Sequence, residues 1–463
     1  MFLVDIQAVR SMAIGAMLAV ALVVLAAATL LPAVLAMLGA RVDRLRLPRS
    51  GRVRHGRDGF WHRWATAVMR RPWAFLLASL AVLAVLSAPL AVTRLGQTRA
   101  GSMPRGEEPR VAVERLAAAF GAGVVGPIEI VVDTPGGATA PGNLDRLRRL
   151  TELLRSDPAV AQVSSLGSLP PNALAGGMAG LDPTLRPAAA GLANWDRGAD
   201  LARISVISRD RPESRAAEEL VSRIRDRYLA AAELAGRARV GGTTALDIDM
   251  TTELTRRLPL VVAAVLTLSF LLLACAFRSL LLPLKAVGMN LLSVGAALGG
   301  LVAVFQWGWG ERLLGFTSEQ HLGQLTPLFL FCVLFGLSMD YEVFLLSRMR
   351  EEYLRSGSNE LGVARGLAAT ARTITAAALV MVTVFGAFAA GRLVLFKEVG
   401  FGLAMAVLID ATIVRIVLVP AAMKLMGHWN WWLPGVLDRW LPRLELEPAQ
   451  PSPAGRDRQP TSV

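Results

Sequence analysis

Cysteine and histidine are scarce in this chain, at two and four of 463 residues. Both cysteines, Cys275 and Cys332, fall inside apolar runs, so no disulfide framework is implied. The histidines (His55, His62, His321 and His428) are scattered, mostly at the borders of those runs, and no metal site is expected. A nucleophile triad and a phosphate-binding loop are also missing, so the sequence does not read as an enzyme. Charge is low as well. Asp, Glu, Lys and Arg make up 18% of residues against 54% hydrophobic, and mean hydropathy is +0.47. An ordinary soluble protein is excluded.

What is present is a series of apolar runs near the roughly 20 residues needed to cross a bilayer. They cover Met12 to Leu38, Trp73 to Val92, Leu258 to Phe277, Ala286 to Trp307, Leu325 to Ser347, Thr373 to Gly391 and Val399 to Met423. A multi-pass membrane protein follows. The formal net charge of +13 sits beside these runs, in the loop from Arg41 to Arg71 and in the loop from Arg348 to Arg372. The positive-inside rule makes both loops cytoplasmic, so the charge reports topology and nucleic acid is not an expected partner. Alternation then places the polar segment 93–257 outside and the C-terminus inside.

That segment reads as a small α/β domain. Strands are predicted at Pro127–Val132, Ala202–Ile207 and Ala238–Gly242, with helices at Leu144–Leu154 and about Ser214–Glu233. The Pro-, Gly- and Ala-rich stretch Leu169–Ala193 reads as a loop. The organisation expected is the last span of a first repeat over 1–40, a basic cytoplasmic loop over 41–72, a span over 73–92, the extracytoplasmic domain over 93–257 and a five-helix bundle over 258–425. A cytoplasmic interfacial helix and disordered tail complete it over 426–463. Leu30–Gly39 and Leu418–Gly427 share Leu, Pro, Ala and Gly in register, as an internal repeat would. Met1–Arg10 is too short to cross before the first span, so the chain is expected to be half of a longer or split protein.

The most informative segment is Gly336-Leu337-Ser338-Met339-Asp340-Tyr341-Glu342, a run with two carboxylates inside a span. An acid at a helix centre costs roughly 2.5 to 3.5 kcal/mol on insertion scales, so its default reading is functional. Helical spacing puts Gly336, Asp340, Phe344 and Ser347 on one face. Gly336 and Ser347 are then expected to permit close helix packing, with Asp340 turned into the bundle. Glu342 is expected to point away as a secondary contact, and Lys397 and Glu398 to lie at the interface. Asp410 and Arg415 lie inside the last span, five residues apart, which is not ideal for a same-helix pair. Each is open to a partner on another helix, with Arg415 neutralising Asp340 or Asp410; a structural ion pair, an Arg415 snorkelling to the interface and a proton relay are the open readings.

Gly336–Glu352 closely resembles the Asp-Tyr signature of MMPL transporters of the RND superfamily. Val240–Ala245 is similar to the end of that family's external porter domain, and Leu408–Arg415 to its last span. The resemblance covers Met1 to about Leu441. It implies a mainly α membrane fold, with seven transmembrane helices of a half RND-type transporter and one external α/β porter domain. It implies proton-driven export of lipids or other hydrophobic compounds across the cell membrane, with no cofactor. It also implies that Asp340 and Tyr341 couple proton flow opposite an equivalent pair in a missing N-terminal half or partner. A non-transporting membrane scaffold or sensor, and an auxiliary subunit using proton flow, are the alternatives.

Overall fold

The computed structural model describes residues 6–39, 59–97, 103–104, 106–170, 178 and 181–434. Most of the basic loop 41–72, part of the 169–193 loop and the tail from 435 onward lie outside the described residues. Among the described residues, seven helices are long and apolar enough to cross a membrane. They begin with α1 (Gln7–Leu38), which is exposed along nearly its whole length. A short amphipathic helix, α2 (Phe60–Arg70), buries Ala65, Val68 and Met69 and leads at Arg71 into α3 (Pro72–Ser87).

The α/β domain follows. It opens with β1 (Leu95–Gly96) and α4 (Glu108–Phe120). Its sheet is built from β2 (Ile128–Asp133), β3 (Val160–Ser164), β4 (Leu201–Ser208) and β5 (Ala238–Gly242), in the antiparallel order β3-β4-β2-β5. Period-two alternation buries Ile128, Ile130 and Val132 on β2 and Ala202, Ile204 and Val206 on β4. Against that face lie α5 (Pro141–Ser156), through Leu144, Leu147, Leu150 and Leu154, and α6 (Arg215–Arg223), through Leu220 and Val221. Strand β3 is absent from the sequence-based expectation because its burial pattern does not alternate cleanly.

The chain returns through α7 (Thr243–Phe277), α8 (Leu281–Leu301), β6 (Leu322–Gly323), α9 (Thr326–Ser356), α10 (Asn359–Ala389) and α11 (Val394–Ile409). Helix α11 continues without a break as a π-helical segment, Asp410–Leu418, and then α12 (Val419–Met426). β6 pairs with β1 in parallel, tying the loop before α9 to the strand that enters the α/β domain. Gln324 adds a tie to the exit, donating from Nε2 to the Asp247 carbonyl at 3.1 Å.

Close helix approach is made by other glycines than the one expected. A Cβ on Gly366 would stand 2.7 Å from the Met349 backbone, and one on Gly362 3.0 Å from the Met349 carbonyl. These two, four apart on α10, let it seat against α9. A Cβ on Gly336 would meet nothing within 4 Å.

Candidate functional site

Helix α9 divides its polar residues between two faces. Ser338 and Glu342, four apart, point into the bundle and are buried. Asp340 lies about 200° around the axis from Ser338 and is exposed with Gly336 and Phe344. The shared face was legible, but its direction is opposite to expectation. Gly336, Asp340 and Phe344 face out of this chain, beside a groove lined by Leu337, Tyr341, Thr373 and Ile374. Ser347 lies half-buried farther along the helix.

Asp410 is the centre of the buried cluster. Its Oδ2 accepts from Arg415 Nη2 at 2.6 Å and Nε at 3.0 Å. Residues five apart on an α-helix stand about 140° apart, which would forbid this pair. The π-helical turns of 410–418, bonded i to i+5, bring them back to one side. The two are therefore partners on one helix. Arg415 Nη2 also donates to the Ser338 carbonyl at 2.7 Å, and its guanidinium lies 5.1 Å from the Tyr341 ring centroid.

From Asp410 a polar chain crosses to two other helices. Ser338 Oγ lies 3.0 Å from Asp410 Oδ2 and 2.9 Å from Asn290 Oδ1. Its one hydroxyl proton serves one acceptor at a time. Asn290 Nδ2 donates to Glu342 Oε2 at 2.9 Å. Lys285, five residues before Asn290 on α8, is close enough for its charge to act on Glu342 together with those of Arg415 and Asp410. Tyr341 stands at the edge of the cluster, its hydroxyl 3.3 Å from Met381 Sδ. A cleft lined by Asn290, Ser338, Tyr341, Asp410 and Arg415, with Leu334 and Ile374, opens on the pair.

Satisfaction is incomplete. Asp410 Oδ1, Arg415 Nη1 and Lys285 Nζ are buried with no hydrogen-bond partner among the described residues. Buried polar atoms are paired in the great majority of cases, so these three leave the cluster under-satisfied. The arrangement offers carboxyls, a hydroxyl rotor and cations in series within a span.

Sequence reasoning missed Asn290, Ser338 and Lys285 and gave Glu342 a secondary role. Their signal was polar side chains interrupting apolar runs, and Glu342 is one of the most buried acids of the bundle. Lys397 and Glu398 are also buried rather than interfacial. Lys397 Nζ donates to the Leu314 and Gly315 carbonyls, and Glu398 Oε2 accepts from Thr326 Oγ1 at 2.9 Å and the Gly323 amide at 3.2 Å. No group of three or more metal-ligating side chains occurs among the described residues.

Known proteins match this chain along nearly all of its length. It is 38% identical over 451 residues to the heme uptake protein MmpL11 of Mycobacterium tuberculosis, covering 96% of this chain and 44% of that protein. It is likewise 38% identical over 461 residues to the mycolic acid-containing lipids exporter MmpL11 of Mycolicibacterium smegmatis, covering 97% and 45%. The trehalose monomycolate exporter MmpL3 of M. tuberculosis is 44% identical over 206 residues, 44% of this chain and 21% of that protein. The chain thus spans less than half the length of these relatives. The profile described as "MMPL family" matches residues 1–75 and 102–452, and the chain belongs to that family.

Proposed function

We propose that this chain works as half of a proton-coupled transporter that exports lipids or other hydrophobic compounds across the cytoplasmic membrane. Relatives named as exporters of mycolic acid-containing lipids and trehalose monomycolate support the substrate class. The basic loops support an orientation with α2 and the end of α9 on the cytoplasmic side and the α/β domain outside.

The observation that carries the reading is the under-satisfied Asp410–Arg415 pair inside a span, joined through Ser338 and Asn290 to Glu342. A proton on Asp410 cancels the charge that holds Arg415. The guanidinium then leans on the Ser338 carbonyl and toward Glu342, and the Ser338 hydroxyl turns to Asn290. Movement of α9 against the 410–418 segment follows from that exchange of partners. Asp340 and Tyr341 sit on the open face of α9, where a second half carrying an equivalent pair would pack. They relay the proton between that surface and Asp410.

Export of a fluorescent lipid by vesicles under an imposed pH gradient tests this. In the transporter containing this chain, Asp340→Asn and Asp410→Asn abolish gradient-driven export while the protein remains in the membrane. Export that survives both substitutions would overturn the coupling role, and a wild-type chain that exports nothing beside its other half would favour a scaffold.

A further inference from the structure

Where the π-helical segment meets α12, a backbone carbonyl loses its α-helical donor. Pro420 has no N–H, so the carbonyl four residues earlier, on Ile416, has no partner in the α-helical register that begins at Val419. A polar group inside a bundle requires a donor from elsewhere. That donor comes from α2, 352 positions away in sequence: Trp64 Nε1 donates to the Ile416 carbonyl at 3.1 Å. The indole is held by its neighbours, with Phe60 stacked at 6.4 Å and Phe75 of α3 edge-on at 6.4 Å. Behind it Ala65, Val68 and Met69 seat α2 against the bundle, leaving Arg63 and Arg70 exposed.

The consequence reaches the buried pair. Asp410 and Arg415 meet only while 410–418 keeps its π-helical turns. Ile416 is the residue after Arg415, so a donor that fixes its carbonyl acts on the stretch of backbone that carries the guanidinium. If the segment relaxed to an α-helix, Arg415 would swing about 90° away from Asp410. We infer that Trp64 is a positioning residue for the Asp410–Arg415 pair: the amphipathic helix α2 supplies the hydrogen bond that Pro420 withholds and so sets the geometry of the charge cluster. α2 becomes a latch through which events at that end of the bundle act on the pair. The consequence for transport rests on the proton-coupled reading above; the structural part does not.

Hydrogen–deuterium exchange of the full chain in lipid nanodiscs separates the two. Trp64→Phe keeps an aromatic ring and deletes the donor. It is expected to raise exchange of the 411–421 amides about five- to tenfold, the loss of one buried hydrogen bond, while the α/β domain and α8 stay unchanged. Pro420→Ala added to Trp64→Phe gives Ile416 an in-helix partner, so protection returns. The pH midpoint of export, however, stays displaced from wild type in both variants, because the α-helical register parts the pair. The charged and titratable groups around Asp410 in that measurement are Arg415 on its own helix, Asp340, Tyr341 and Glu342 on α9, and Lys285 on α8. Unchanged exchange at 411–421 in Trp64→Phe, or loosening spread over the whole bundle, would overturn the latch. So would recovery of the pH midpoint in the double variant. A wild-type export rate that ignores pH would instead sink the proton-coupled reading, with the exchange result still deciding the latch.

Discussion

Two buried aspartates, each with an arginine partner, occupy the two halves of this molecule and are finished differently. In the α/β domain Asp157 accepts from Arg223 Nε at 2.8 Å and Nη2 at 3.0 Å, from the Tyr228 hydroxyl at 2.7 Å and from the Ala159 amide at 2.9 Å. Both of its oxygens are used. In the membrane bundle Asp410 takes every bond on Oδ2, leaving Oδ1 and Arg415 Nη1 without partners among the described residues. A completed pair resists a change of protonation, because every lone pair already has a donor. An incomplete pair has somewhere to receive a proton. Identical residue types thus form a fully bonded staple in one region and, under the proposed coupling, a movable charge in the other, and the difference lies in the count of donors.

The widest separation between them is expected in transport. Asp410→Asn should lower gradient-driven export by about a hundredfold or more, since it removes the group proposed to carry the proton. Asp157→Asn, assayed in the same vesicles at neutral pH, should leave the rate within about twofold. Equal losses in both would erase the distinction.

Stability reverses the order. Asp157→Ala strands Arg223 and Tyr228 and should cost the α/β domain about 2 to 3 kcal/mol, read as faster amide exchange across β3, β4 and α6. The acid response of that domain sharpens the point. Burial alone would raise the Asp157 carboxyl, but hydrogen bonds from Arg223, Tyr228 and Ala159, with the Arg223 charge, outweigh it and hold the group below the ordinary 3.8. A depressed folded-state value means the pair's contribution is fully present above pH 3.8 and is lost as pH falls through the lower folded value. Protection factors in the α/β domain, corrected for the intrinsic pH dependence of amide exchange, should therefore stay flat from neutral pH down to about 4 and fall below it, and Asp157→Asn should flatten that acid-side fall.

The smallest effect concerns packing. Gly336→Ala should change the stability of this chain by less than about 0.5 kcal/mol, because the added methyl meets open space. Gly366→Ala, which drives a methyl into the Met349 backbone, should cost about 1 to 3 kcal/mol in a thermal melt. If Gly336→Ala nonetheless blocks export, a partner surface packs on that face of α9.

Much of the architecture was legible because bilayer-length apolar runs and strand alternation are local signals. The spans and the strands β2, β4 and β5 were within reach for that reason. The Asp-Tyr segment was equally visible as charge where charge is costly. Direction was not visible: helical spacing groups Gly336, Asp340 and Phe344 but does not say whether that group faces in or out. The Asp410–Arg415 pair was hidden for a different reason. Its spacing of five fits a π-helix and not an α-helix, and the switch depends on Pro420, Trp64 and the packing of α2 against α12. Ser338, Asn290 and Glu342 became one chain only when α8 and α9 were laid side by side.

The most direct test of the central claim is substrate-dependent proton flux into vesicles holding the transporter that contains this chain, followed with an internal pH dye. Flux is expected in the wild type and in Asp157→Asn and none in Asp410→Asn. Undiminished flux in Asp410→Asn would contradict the claim.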